Sequence, residues 1–233
     1  MAAGRVIADR IFTNHAIFKG SEKGDLKQLL YLAGMHIFLI RHTRPAVAKG
    51  ICYGQADLDV VETFHQEAAV IKNCLPADIL KVYSSPLRRC RLLAEHLFPH
   101  PIHSYDDLME LHCGSWEMQH WDEIPKPELQ PWMNDFVSVK VPGGESYLDL
   151  YTRTVKRYEK ISGEVKPAAI VAHGGVIRSI LSHITGTPLK EAFERFPLYY
   201  GAVAKINTAT AEVEILSNIE IKGEQHRPSD WVK

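Results

Sequence analysis

Residues 36 to 43, HIFLIRHT, decide the fold of this 233-residue chain. The apolar run ends abruptly at Arg41 and His42. A short segment with apolar residues at successive positions predicts a strand that is buried on both faces, as in a parallel sheet. The segment therefore predicts the first strand of an α/β fold, and it places two polar side chains in the loop where that strand ends.

A second unit of the same kind lies further along the chain. Residues 79 to 83 predict another short strand, and residues 87 to 98 predict a helix. Ser84 or Ser85 precedes Pro86, a pattern that is typical of a helix N-cap with proline in the first turn. The second unit therefore repeats the order of strand, loop and helix.

A third unit is formed by a strand over residues 168 to 172, a tight turn at residues 173 to 175 and a helix over residues 176 to 184. Residues 201 to 207 and 211 to 217 alternate between apolar and polar side chains, which predicts a hairpin at a sheet edge. Together these segments predict an α/β fold: a single-domain, three-layer α/β/α sandwich with a mostly parallel sheet and helices on both faces.

Composition excludes several classes of partner. The chain has 27 basic and 28 acidic residues and a formal net charge of -1, so no broad positive field is available for nucleic acid or an anionic membrane. No apolar stretch reaches the roughly 18 residues of a transmembrane helix. An anionic substrate must therefore be held by a few placed side chains.

The four cysteines are far apart in the sequence and form no C-x-x-C pair, so we expect reduced thiols and a cytoplasmic protein. The first residues lack the apolar core of a secretory signal. We expect an extension over residues 1 to 34, a domain over residues 35 to 218 and a polar tail over residues 219 to 233. Met35, directly before the first strand, is a candidate natural start.

Polar side chains from the three units meet at one edge of the predicted sheet. In open α/β sheets the ligand lies outside the carboxyl ends of the strands. Arg41 and His42 follow the first strand, Arg88 and Arg89 follow the second, and His173 follows the third. Positive charge at the start of a helix opposes the helix dipole and favours a bound anion.

These residues belong to four ordered motifs that resemble the histidine phosphatase superfamily, whose members have the phosphoglycerate mutase-like fold. The resemblance covers about residues 35 to 218. The motifs are LIRHT at residues 39 to 43, SSPLRR at 84 to 89, LMELHCGSWE at 108 to 117 and VAHGGVIR at 171 to 178. One departure is Thr43, which stands where the family commonly has glycine and adds a hydroxyl able to touch phosphate.

The resemblance implies a role for each matched residue. His42 is expected to be the nucleophile that becomes a phosphohistidine, and Arg41 and Arg89 are expected to clamp the phosphate. His173 is expected to stabilise charge, assisted by the amide of Gly174 in its turn. Glu110 is expected to donate a proton to the leaving oxygen.

Physical chemistry asks for the same groups. A neutral imidazole can attack phosphorus with one ring nitrogen while its other nitrogen donates to a backbone carbonyl. Guanidinium forks suit phosphate oxygens. Glu110 must stay protonated near neutral pH, so we expect it to be buried against apolar groups such as Trp116. This chemistry requires no metal and no cofactor.

Secondary motifs narrow the substrate, a small-molecule phosphate monoester. The segments GICYGQAD at residues 50 to 57 and PGGES at 142 to 146 resemble α-ribazole phosphatases of cobalamin nucleotide-loop assembly. Tyr53 and Gly54 are therefore expected at the substrate. Aromatic side chains would offer flat surface for its ring, or would simply pack helices onto the sheet: Tyr53, Trp116, Trp121, Trp132 and Phe136.

Other functions of the same superfamily remain open. A broad-specificity phosphatase would act on sugar phosphates or nucleotides. A phosphoglycerate mutase would need extra cations for a second anionic group, and residues 112 to 145 contain only Lys126 and Lys140. A binding module with a dead site would lack a catalytic residue. A homodimer is compatible with the sequence.

Overall fold

The computed structural model describes residues 35 to 164, residues 167 to 220 and Pro228. The predicted extension over residues 1 to 34 lies outside the described residues. The predicted tail, residues 219 to 233, lies outside them as well, except for its first two residues and Pro228. The boundaries of these segments stay predictions.

The described residues form a six-stranded mixed sheet with the strand order β3-β2-β4-β1-β5-β6. Strand β1 pairs in parallel with β4, which pairs in parallel with β2, and β2 pairs in parallel with β3. Strand β5 is antiparallel to both of its neighbours, as the predicted hairpin requires. The strands are β1 (His36–Arg41), β2 (Lys81–Ser84), β3 (Ile102–Ser104), β4 (Ala168–Ala172), β5 (Val203–Asn207) and β6 (Val213–Ser217).

Helices cover both faces of this sheet. Ile37 and Leu39 of β1 pack in one buried cluster with the helices over residues 147 to 162 and 174 to 185. Phe38 and Ile40 pack in another cluster with the helices over residues 64 to 73 and 88 to 97. This alternation confirms the predicted three layers, since successive strand residues point to opposite faces. The helices are α1 (Phe64–Asn73), α2 (Arg88–Leu97), α3 (Lys126–Asn134), α4 (Tyr147–Ser162), α5 (Gly174–Thr185) and α6 (Ala192–Arg195).

The predicted N-cap of the second unit is wrong. Helix α2 begins at Arg88 and its N-cap is Leu87, which makes no side-chain cap bond. The Ser85 hydroxyl accepts from the Leu87 N–H at 3.3 Å, and it lies 2.8 Å from Nε2 of His173. The hydroxyl is thus shared with a side chain from another strand end, a tertiary contact that local sequence does not reveal.

The helix of the third unit begins earlier than predicted. It starts at Gly174, directly after the N-cap residue His173, and not at residue 176. Two glycines have low helix propensity, but here they open the helix because nearby side chains occupy the space that a Cβ would need. Helix α5 therefore points its amino end at the carboxyl edge of the sheet.

A third buried cluster lies beside this edge and is built from irregular chain. It combines three tryptophans with Cys52, Cys113 and residues of α3. All four cysteines of the chain are free thiols, as predicted. Within the described residues, no helix has both the length and the apolar character needed to span a bilayer.

Candidate active site

His42 lies directly after β1 and is 2% exposed. Its Nδ1 is 2.6 Å from the Thr43 carbonyl oxygen. A carbonyl oxygen can only accept, so Nδ1 carries a proton, and in the neutral form of the ring Nε2 then carries the lone pair. The contact confirms that a backbone carbonyl sets the tautomer of this imidazole, and it prepares Nε2 to act as a nucleophile.

The two predicted clamp arginines are held by backbone carbonyls. Arg41 donates from Nη1 to the Leu198 oxygen at 2.6 Å. Arg89 is fully buried and donates to the oxygens of Gly54 at 2.6 Å and Ala56 at 2.8 Å. These bonds fix both guanidinium groups before any substrate is present.

Three polar atoms of the predicted phosphate ligands are buried without a hydrogen-bond partner in the described part of the chain. They are Nε of Arg41, Oγ1 of Thr43 and Nε of Arg89. Buried polar groups are nearly always hydrogen-bonded, so atoms of this kind call for an explanation. Two N–H donors and one hydroxyl are suited to the oxygens of a phosphate group.

His173 is fully buried beside the nucleophile, with its ring centroid 5.1 Å from that of His42. Its Nε2 lies 2.8 Å from the Ser85 hydroxyl and 3.4 Å from Sγ of Cys90. Burial, followed by the charge of Arg89, lowers the pKa of His173 well below its usual value. The imidazole is therefore neutral, and it acts as a charged group only when a bound anion favours its protonation.

Glu110 is half-buried and held by two backbone amides. Leu111 donates to Oε1 at 2.9 Å, and Gly175 of α5 donates to Oε2 at 3.1 Å. A Cβ on Gly175 would stand 2.3 Å from Oε1 of Glu110 and 2.8 Å from the Leu150 side chain. Only glycine at position 175 allows the carboxyl group to approach the helix start this closely.

The expected packing of Glu110 against Trp116 is wrong. Trp116 lies in the third cluster, where its ring packs edge-on against Trp121 and Trp132. It is not among the side chains that line the cleft containing Glu110. Leu150 of α4, which is apolar and buried, lines the same cleft as the carboxyl group.

A cleft of about 190 Å³ joins the nucleophile, the carboxyl group and a set of rings. Four of the five aromatic residues expected at the substrate line it, and Trp116 is the exception. Thr43, Gly54, Arg89 and His173 are buried and are not part of the lining. The lining consists of Arg41, His42, Tyr53, Glu110, Leu111, Cys113, Trp121, Trp132, Phe136, Tyr147, Leu150, Gly174, Gly175, Arg178 and Phe193.

Gly174 and Tyr53 have distinct places at this cleft. A Cβ on Gly174 would stand 2.9 Å from Nη1 of Arg178 and 3.4 Å from Cζ of Arg41, so the missing side chain lets two guanidinium groups approach.

The Tyr53 hydroxyl contacts that of Tyr200. Burial is the main reason that the pKa of Tyr53 is raised well above its usual value, so the phenol is neutral.

Sequence reasoning missed three residues at the site: Tyr200, Arg178 and Phe193. The Tyr200 ring lies 4.2 Å from Cζ of Arg41 and 5.5 Å from the His42 ring. No motif marks Tyr200 or Phe193. Arg178 was detectable, because it ends the VAHGGVIR motif four residues after Gly174 and therefore shares a helix face with it.

Within residues 35 to 164 and 167 to 220, no group of three or more His, Cys, Asp or Glu side chains is placed to hold a metal ion. The groups at this site are the His42 imidazole, fixed guanidinium donors and a carboxyl group. These groups are suited to bind a phosphoryl group and to take part in its transfer.

The comparisons with known proteins agree with this chemistry. The profile of the histidine phosphatase superfamily (branch 1) matches residues 37 to 219. The chain belongs to this superfamily, and it is a phosphatase of that family. The predicted family and fold class are therefore confirmed.

Relatives with different substrates are similar to the chain. A metal-independent phosphoserine phosphatase of Arabidopsis thaliana is 32% identical over 162 residues, which are 64% of this chain and 68% of that protein. The adenosylcobalamin/alpha-ribazole phosphatase of Salmonella typhimurium is 26% identical over 166 residues, which are 66% of this chain and 81% of that protein.

A solved structure supports the fold alone. The alpha-ribazole phosphatase from Shigella flexneri superposes with a TM-score of 0.71 at 22% identity, over 81% of this chain and 100% of that chain. Neither the sequence relatives nor this structure singles out one phosphate ester.

Proposed function

We propose that the chain hydrolyses a phosphate monoester, without a metal ion, through a phosphohistidine on His42. The observation that carries the proposal is that His42, with its Nδ1 bound to a carbonyl, occurs together with three buried polar atoms on Arg41, Thr43 and Arg89 that have no partner among the described residues. The nucleophile and the phosphate ligands are thus positioned before the substrate arrives, which lowers the cost of reaching the transition state.

The reaction has two steps. In the first, the Nε2 lone pair of His42 forms a bond to phosphorus while the ester P–O bond breaks and Glu110 gives its proton to the leaving oxygen. In the second, water attacks phosphorus, Glu110 takes a proton from that water, and the P–N bond breaks with its electron pair returning to Nε2. The sum is ester plus water giving alcohol plus phosphate, with both residues restored.

The acid role proposed for Glu110 depends on its place in the cleft and on its fixed orientation. The amides of Leu111 and Gly175 hold the carboxyl group in one orientation. Arg41, which lines the same cleft, balances the charge that develops on the phosphoryl oxygens.

For the substrate we propose α-ribazole 5'-phosphate, an intermediate of cobalamin nucleotide-loop assembly. Tyr53, Trp121, Trp132 and Phe136 line the cleft and provide flat apolar surface for a benzimidazole ring. The relative from Salmonella typhimurium adds support. Free thiols at all four cysteines support the cytoplasm as the compartment of this reaction.

Arg178 favours a second candidate substrate, phosphoserine. This cation lines the cleft near Arg41 and is suited to a carboxylate on the leaving group. The relative from Arabidopsis thaliana carries the same implication. Arg178 also weakens the argument against a phosphoglycerate mutase, because it supplies a second cation from outside residues 112 to 145.

Steady-state hydrolysis in the presence of a chelator separates these candidates. The substrates are α-ribazole 5'-phosphate, phosphoserine, 3-phosphoglycerate, fructose bisphosphates and nucleotide monophosphates, with His42→Ala as the blank. We expect kcat/KM for α-ribazole 5'-phosphate to exceed every other value about a hundredfold, a difference of roughly 2.7 kcal/mol in transition-state binding.

Each other outcome has a definite meaning. A preference for phosphoserine or 3-phosphoglycerate selects the anionic leaving group and rejects α-ribazole, and net transfer to a second position of the glycerate identifies a mutase. A flat profile indicates a broad-specificity phosphatase. Turnover that disappears with the chelator, or that survives in His42→Ala, refutes the proposed mechanism.

A further inference from the structure

The Glu117 carboxylate accepts four backbone N–H groups. Oε1 accepts from Gln55 at 2.8 Å and from Cys113 at 3.0 Å. Oε2 accepts from Gly54 at 3.0 Å and from Ala56 at 3.1 Å. Both oxygens are therefore used, and three successive amides of the loop over residues 54 to 56 converge on one side chain.

This arrangement requires a carboxylate. Each oxygen of an ionised carboxylate accepts hydrogen bonds, whereas an amide has one accepting oxygen and a donating NH₂ group. Glutamine at position 117 would keep two of the four bonds and would set an NH₂ group against two N–H donors. The loop would have to move away from that repulsion, although the side chain would keep its size.

The same loop holds Arg89 from its other side. Carbonyl oxygens of Gly54 and Ala56 accept from Nη2 and Nη1 of Arg89, whereas its buried Nε has no partner in the part of the chain that the structure describes. The amides of both residues point to Glu117, so their carbonyls and amides link the carboxylate to the guanidinium group. A shift of the loop therefore changes the orientation of Arg89.

Gly54 permits the close approach on which this link depends. A Cβ at this position would stand 1.9 Å from the Leu111 carbonyl oxygen and 2.8 Å from Sγ of Cys113. Gly54 is buried and does not line the cleft. The contribution of Gly54 to substrate binding is therefore indirect, because its carbonyl oxygen accepts a hydrogen bond from Arg89.

We propose that Glu117 is a positioning residue that orients Arg89 for phosphate through the loop over residues 54 to 56. The inference deepens the proposed function, since it concerns how the phosphate clamp of that site is assembled. Glu117 does not touch the substrate. Its effect on phosphate must therefore pass through Arg89 and disappear when the guanidinium group is removed.

A double-mutant cycle on phosphate affinity tests this dependence. Binding of inorganic phosphate to the full chain is measured by titration calorimetry for wild type, Glu117→Gln, Arg89→Met and the double variant. We expect Glu117→Gln alone to weaken phosphate binding about tenfold, and to change it less than twofold in the Arg89→Met background, because coupled residues are not additive. An equal weakening in both backgrounds overturns the proposal.

Two further variants serve as controls for this cycle. Asp149→Asn is the matched control, because this carboxylate also accepts a backbone N–H, that of Ser146 at 2.9 Å, but it caps α4 and has no bond to Arg89 or its loop. We expect it to lower thermal stability and to leave phosphate affinity unchanged. If Arg89→Met does not fold, Arg89→Lys supplies the second background.

The cycle is independent of turnover. Coupled phosphate affinities without hydrolysis of any ester would leave the positioning role intact and refute the proposed function. Hydrolysis of an ester, together with additive effects of the two substitutions on phosphate affinity, would support the proposed function and refute the positioning role. If the wild-type protein binds no phosphate, the positioning role is overturned, because Arg89 then has no phosphate to bind.

Discussion

Two regions, one partly buried behind the cleft and one lining it, are built in different ways. The phosphate side, defined as Arg41, His42, Arg89 and His173, stands at strand ends and at the start of α2, and backbone carbonyls or a serine hydroxyl hold its side chains. The aromatic wall, defined as Trp121, Trp132, Phe136 and Phe193, comes from short helices and irregular chain.

Contacts within the aromatic wall are mainly between rings. Trp121 and Trp132 stack with centroids 5.6 Å apart, and Phe136 meets Phe193 edge-on at 5.4 Å. Ring contacts tolerate more variation in geometry than hydrogen bonds do. The comparison predicts that changes on the phosphate side affect phosphate binding and chemistry, and that changes in the aromatic wall affect the choice of leaving group.

Glu110→Gln tests the first half of this comparison and has the largest expected effect. The amide keeps the size of the side chain but cannot donate a carboxylic proton, so kcat on an alkyl phosphate should fall about 10² to 10⁴-fold. Nitrophenyl phosphate has a good leaving group and should lose much less in its first step. Single-turnover release of the alcohol measures that step.

An equal loss on the two esters would contradict the acid role of Glu110. Inorganic phosphate affinity serves as the control, because the proton transferred to the leaving oxygen takes no part in binding phosphate. A large change in that affinity would assign Glu110 to the phosphate side instead.

Phe193→Ala tests the second half and has an intermediate expected effect. Phe193 is 37% exposed, so removal of its ring costs little core packing. We expect KM for α-ribazole 5'-phosphate to rise about tenfold, equivalent to roughly 1.4 kcal/mol, with kcat little changed. Steady-state kinetics give KM for the ester, which reports on the aromatic wall. Inhibition by inorganic phosphate in the same assay gives the phosphate affinity, which reports on the phosphate side.

Leu148→Ala is the matched control, since Leu148 is an exposed apolar residue of α4 that does not line the cleft. Its KM values should equal those of wild type. A Phe193→Ala variant in which phosphate inhibition weakens as much as ester binding would show that the two regions are not separable.

His173→Gln has the smallest expected effect and concerns pH. The unfolded chain protonates this imidazole near its ordinary pKa of 6.5, whereas the folded protein does so only well below that value. As pH falls below 6.5, the unfolded state therefore binds a proton that the native state lacks, and the free energy of unfolding decreases. One such proton contributes up to about 1.4 kcal/mol per pH unit.

Urea unfolding at pH 7.5 and pH 5.5 measures this contribution. Wild type should lose more stability between the two pH values than His173→Gln, and glutamine retains a donor toward the Ser85 hydroxyl. Equal losses would mean that His173 takes up its proton in the folded state, so that it is charged before phosphate binds.

Much of the phosphate side was predictable from the sequence. An apolar run predicted β1, and the polar pair after it predicted the position of the nucleophile; the carbonyl partner of His42 followed from the chemistry required. The N-cap role of Ser85 and the packing of Glu110 against Trp116 were wrong. In both cases the observed partner lies far away in the chain: His173 for Ser85 and Gly175 for Glu110.

By itself, the sequence predicted five of the six described strands, the helices that follow β2 and β4, and the residue types at the ends of β1, β2 and β4, because these depend on local periodicity and on short motifs. Strand β3 and helix α1 were not predicted. Only the tertiary structure decided which side chains meet. Tyr200 beside His42, Phe193 in the aromatic wall and the path from Glu117 to Arg89 arise where separate elements pack together. Distances across such contacts depend on the packing of the whole domain, which no local pattern contains.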